Sequence, residues 1–158
     1  MHRAMSNLFL FALLSLGLYS PLCAQQTVFV HQNPIAANVP KVQISENVTF
    51  PDIQVLLGRD IPFEDISVGI TPYRAQADIV ITKSEGSAAR VVQLELCDNF
   101  PDLHILYGSE VRFPDVRIEF RDDNRPVDVL IYTEKITVSE QEIIACLLPF
   151  IQEKKAQR

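Results

Sequence analysis

Polar and apolar positions alternate in short bursts along most of this chain, and one polar residue introduces each burst. These markers are Lys41, Asp52, Asp65, Asp78, Arg90, Asp102, Asp115 and Asp128, at steps of 11, 13, 13, 12, 12, 13 and 13 residues. After each marker the side chains alternate. Ile66 and Val68 flank Ser67, Val92 and Leu94 flank Gln93, and Val116, Ile118 and Phe120 interleave with Arg117 and Glu119. Period two with β-branched and aromatic enrichment is the signature of half-buried strands. With an earlier unit at Thr27-Val28-Phe29-Val30, the pattern predicts nine short strands near 28–31, 41–45, 53–58, 66–71, 78–83, 90–96, 103–108, 115–121 and 128–133. Pro34, Pro40, Pro51, Pro62, Pro72, Pro101, Pro114 and Pro126 suit connectors and strand starts, since proline cannot donate to a ladder. The connectors exceed two-residue hairpin loops and hold no Asn-Gly or Asp-Gly, so the strands could cross over one another instead of meandering.

Shifted by fifty residues, FPDIQVLLGRDIPFEDISVGI falls on FPDLHILYGSEVRFPDVRIEF. Residues 50–81 and 100–131 agree at nine of 32 positions, including Phe50/Phe100, Asp52/Asp102, Gly58/Gly108, Phe63/Phe113 and Asp65/Asp115. Average residue usage gives about two by chance, so the reading is an internal duplication. Near the end the period changes. Ser139-Glu140-Gln141-Glu142 is a capping box, and Ile143, Leu147 and Ile151 follow at four-residue steps beside Ile144 and Leu148. This predicts one helix over 139–155, bent at Pro149, with Lys154, Lys155 and Arg158 suited to its negative end. A lid packed on one sheet face is the expected role, with a partner-binding helix as the alternative.

The start of the chain reads as an export leader: positive charge at His2 and Arg3, an apolar run from Leu8 to Tyr19, and cleavage expected after Ala24. The run is short of the roughly 20 residues a spanning helix needs. The expected organisation is a signal peptide over 1–24 and one β-rich domain over 25–158, with strands in 25–134. The expected location is periplasmic or secreted, in a bacterial cell, with no membrane span after the leader. Cys97 and Cys146 remain after cleavage, and an oxidising compartment permits a bridge between them. Two buried thiols are the other reading. Asn47-Val48-Thr49 fits a glycosylation acceptor, which matters only in a eukaryotic route. A net charge of −6 gives no electrostatic reason to bind nucleic acid or an anionic membrane.

The phrases AQADIVIT (75–82), FPDVRIEF (113–120) and PVDVLIYT (126–133) resemble those of the septoil-knot domain family, small bacterial β-proteins of unknown function. The resemblance covers roughly 40–134. Most units here read Phe-Pro-Asp or similar instead of Ala-Asp, and the chain has no tryptophan where the family pattern places one. The resemblance implies a knotted β fold and carries over no catalytic residue.

Candidate chemistry is sparse. Asp52, Asp65, Asp78, Asp102, Asp115 and Asp128 could gather carboxylates for Ca²⁺. One per unit at a loop-to-strand junction fits better with turns fixed through backbone amides. Asp122-Asp123-Asn124 lacks the glycine and distant glutamate of an EF-hand loop. Gly108-Ser109-Glu110 is a turn and not a nucleophile elbow, and His31 and His104 sit in different units. A Cys97–His104 dyad has no evident orienting group. HExxH, CxxC and phosphate-loop motifs are absent, so no metal and no cofactor is expected. Arg112, Arg117, Arg121 and Arg125 lie among Asp115, Glu119, Asp122 and Asp123, which reads as cross-strand charge pairing on a wet face. The expectation is an exported, non-enzymatic surface-binding module with an unknown protein or envelope partner. A kinetically stable envelope protein and a small exported hydrolase are the alternatives.

Overall fold

The computed structural model describes residues 25–31, 39–94, 101–122, 125–134 and 137–158. Nine strands run through them: β1 Gln26–His31, β2 Lys41–Ser45, β3 Ile53–Gly58, β4 Ile66–Ile70, β5 Ile79–Thr82, β6 Arg90–Leu94, β7 Leu103–Gly108, β8 Val116–Arg121 and β9 Val129–Tyr132. The 13-residue beat therefore places every strand to within a few residues. All ladders are parallel, and the sheet closes on itself in the order β1-β5-β9-β4-β8-β3-β7-β2-β6. Each strand thus lies two places round the barrel from its predecessor in the chain, with one strand between them. Seven extended residues reach about 23 Å, enough to return from the end of a six-residue strand to the start of the next. That length match is why so short a beat yields parallel strands without crossover helices.

Counterparts fifty residues apart become neighbours: β3 pairs with β7, β4 with β8 and β5 with β9. They pair two residues out of step, with Ile53 opposite Ile105 and Ile66 opposite Ile118. Such stagger is the geometric requirement for tilted strands closing into a barrel.

The α-helix of the described residues, α1 (Glu140–Ala156), corrects the expectation of a lid. Residues 143–148 are all buried, with Ile144, Ala145, Cys146 and Leu147 at 0% exposure, which an outer helix lying on one face cannot achieve. It packs in one cluster with the inward residues of the strands, such as Val28, Val55, Ile105, Ile118 and Ile131. Near its start Gln141 donates to the Ile44 carbonyl at the end of β2 (2.9 Å). Beyond its end Arg158 bonds Asp65, just before β4 (2.6 Å). The helix therefore runs through the barrel interior, antiparallel to the strands. Its capping box forms as expected, with Ser139 and Glu142 bonding reciprocally. The helix continues through Pro149.

A third layer lies outside the barrel. Ser67, Val80, Gln93 and Glu119 sit at alternate, outward positions yet are buried. Where the connector after β8 passes β4, Val127 occupies the space above Gly69: a β-carbon there would lie 3.3 Å from it and 3.1 Å from Leu130. The expected wet charge face is likewise covered in part. Glu119 is only 3% exposed and accepts from Arg121, which also bonds Glu64 in the connector over β8.

Candidate functional site at the lower rim

Every strand starts at one end of the barrel, so the marker aspartates assemble there as a rim. Each holds one residue of a neighbouring strand by two hydrogen bonds, its own amide donating to that residue's carbonyl and its carboxylate accepting from the amide. Asp52 clamps His104, Asp65 clamps Arg117, Asp78 clamps Leu130, Asp102 clamps Lys41, Asp115 clamps Gln54 and Asp128 clamps Ser67. The carboxylate bonds are 2.7–2.8 Å. Among the described residues no group of three or more His, Cys, Asp or Glu is placed to hold a metal ion.

The tail of the helix plugs this rim. Lys155 donates to the Asp52 carbonyl and lies 3.7 Å from Asp115, while Arg158 spans Asp65 and the Pro114 carbonyl. His104 adds its ring to Asp52 at 3.2 Å. Inside the barrel, Arg90 donates to the Cys146 carbonyl. Burial pushes the Cys146 thiol up to about 12, with Arg90 opposing the shift. That thiol is buried and free; Cys97, the other half of the bridge an oxidising compartment permits, lies outside the described residues, as does the Ala24 cleavage position.

Two rim carboxyls titrate low. The backbone amide of His104, joined by its ring, holds Asp52 below the ordinary carboxylate range. Burial alone would raise Asp128, but the amide and hydroxyl of Ser67 outweigh it and lower the group. Both folded values lie below the unfolded one, so their stabilisation is complete above about pH 4 and disappears as pH falls through the folded values. The urea midpoint should hold between pH 7 and pH 5 and drop at pH 3. A midpoint unchanged at pH 3 would remove the rim from the stability account.

The rim also carries a feature that the strand pattern left out. Phe50, Phe63 and Phe113 are 86, 88 and 83% exposed, and each stands two residues before the aspartate that opens β3, β4 or β8. Those three strands are consecutive in the barrel, in the order β4-β8-β3. The three residues therefore follow one another along one arc of the rim. The two-residue stagger between repeat and ladder keeps equivalent positions level around a tilted barrel, so the arc follows the rim. Phe63 also adopts φ 58°, a left-handed backbone that a bulky residue rarely takes. Phe100, at the same position before β7, lies outside the described residues. The available signal was an unburied aromatic repeating at a fixed offset in a connector. Lone exposed aromatics are ordinary, but a contiguous apolar patch marks an interaction surface.

At the opposite end, where the helix begins, a cleft of about 500 Å³ opens beside Glu46, Tyr107, Glu110, Arg112 and Glu140. Burial, then the nearby Glu46 and Glu140 charges, raises the Tyr107 hydroxyl. Of the other expected residues, His31 lies 3.7 Å from Glu85 and Asp122 pairs with Arg59. Arg117 lends its backbone to the Asp65 clamp, and Arg125 is engaged. Asp123 and Asn124 lie outside the described residues. No helix of the described residues is long and apolar enough to cross a membrane. Comparison with family models, with curated proteins and with solved structures finds no match to this chain.

Proposed function

We propose that this chain is an exported, non-enzymatic β-domain that works by binding through the phenylalanine arc of its lower rim. The observation that carries the reading is the exposure of Phe50, Phe63 and Phe113 on three adjacent strands. Burying such side chains in a core would gain roughly 2–3 kcal/mol each, so leaving them in water is compatible with a surface that is covered in use. Export is supported by the leader pattern over 1–24.

A second reading, a kinetically stable envelope protein, is favoured by the chain path. Two laps of strands interlace: the connector before β4 bonds β8 through Glu64 and Arg121, while the connector before β9 covers β4 through Val127 and Gly69. A path that passes outside the other lap in both senses supports the knot implied by the septoil-knot resemblance, and the pairing of counterparts fifty residues apart supports duplication.

A photo-crosslinking phenylalanine analogue tests the binding reading. Placed at Phe113 in cells, it should give a discrete adduct of higher mass. Placed at Tyr73, which is 64% exposed in the connector that leaves the upper end, it should give none. Equal or absent adducts at both positions would overturn the assignment.

A further inference from the structure

We infer that the occupant of the phenylalanine arc is a second copy of this chain, docked rim to rim about a two-fold axis. The inference rests on the binding reading above and names the partner. Three observations point to a copy of the chain.

The described part of the arc permits such an axis. Phe113 precedes the middle strand β8, with Phe63 and Phe50 one strand away on either side. A two-fold axis through the position of Phe113 exchanges the places of its two described neighbours. Phe113 then meets Phe113, and Phe50 meets Phe63, which is the reciprocal pattern of an isologous interface.

The area suffices. A phenylalanine exposes about 150–250 Å² when free, so three rings at over four-fifths exposure offer about 500 Å² per copy. Two facing arcs remove about 1,000 Å² before flanking contacts are counted, the size at which specific interfaces begin.

The surrounding charges favour a protein over an anionic bilayer. Asp52, Asp65 and Asp115 beside the rings already accept backbone amides. Lys155 and Arg158 at the same end are engaged by Asp115, Asp65 and two carbonyls. The carboxylates nearest the rings thus enter a contact already partnered, which lowers the desolvation cost. Because the described strands form a closed barrel, backbone pairing at a sheet edge is not open to a partner either.

Sedimentation velocity on the full exported protein across roughly 1–500 µM tests the proposal, and the wild type should pass from monomer to dimer within that range. Phe113→Ser should weaken association at least tenfold, and the triple variant F50S/F63S/F113S should stay monomeric throughout. Because the three rings are more than 80% exposed, the variants should keep the wild-type circular dichroism and melting temperature, which guards against simple unfolding. A wild type that remains monomeric at every concentration, or a triple variant that dimerises like the wild type, overturns the proposal. The same proteins are then floated with phosphatidylcholine vesicles and photo-crosslinked from position 113. Vesicle binding or an adduct with a different protein, lost in the triple variant, would leave the rim-binding reading standing while removing the dimer. Neither signal in a monomeric wild type would remove both.

Discussion

Leu147→Ala should destabilise the protein by about 3–4 kcal/mol, the range for deleting a fully buried leucine whose cavity cannot collapse. For a domain of this size the melting temperature would fall by roughly 10–15 °C. The size of the effect follows from position. Leu147 is on a helix inside the barrel, with wall residues on every side, so little can move in to fill the space. Gln152→Ala, on an exposed position of the same helix, should cost less than about 0.5 kcal/mol. Paired thermal melts check both. A Leu147→Ala cost near 1 kcal/mol would place the helix on an outer surface and restore the lid.

Asp65→Ala should cost about 2 kcal/mol. Its carboxylate is 19% exposed and accepts the Arg117 amide at 2.8 Å, so removing it leaves a strand donor without its partner. It also frees Arg158, held at 2.6 and 2.7 Å. Asp65→Asn keeps an acceptor for the amide and should cost about half as much. Asp102→Ala, on a more exposed member of the rim, should cost under about 1 kcal/mol. Urea midpoints at pH 7 compare the three. If asparagine and alanine proved equally damaging at position 65, the pairing with Arg158 would be the larger part of the interaction.

Much of the fold was legible because it is written locally. A marker aspartate followed by alternating valine and isoleucine identifies a strand wherever its partner lies, and Ser139 with Glu142 identifies a helix start before any tertiary contact exists. The placement of the helix was not legible. Ile143 to Leu148 contains Ala145 and Cys146, small neutral residues that read as the weaker flank of a stripe but serve equally well against a surrounding wall. Parallel pairing and closure were hidden because they depend on connector length and on partners half the chain away. The rim site was missed for a related reason. Phe50, Phe63 and Phe113 repeat visibly, yet only the barrel order turns three separate connectors into neighbours. Glu119 shows the converse, since alternation assigned it to water and the outer layer of connectors buries it.

The ladder partners have a consequence for synthesis. Lys41 waits for Gln93, Ile53 for Ile105 and Ile66 for Ile118, so each of the first four strands leaving the ribosome finds no backbone mate until some fifty more residues have emerged. The interior filler, Ile143 to Ile151, emerges after all nine strands. A chain that stops short of the helix is thus a wall around a hollow, and the last element to emerge is the one that fills it.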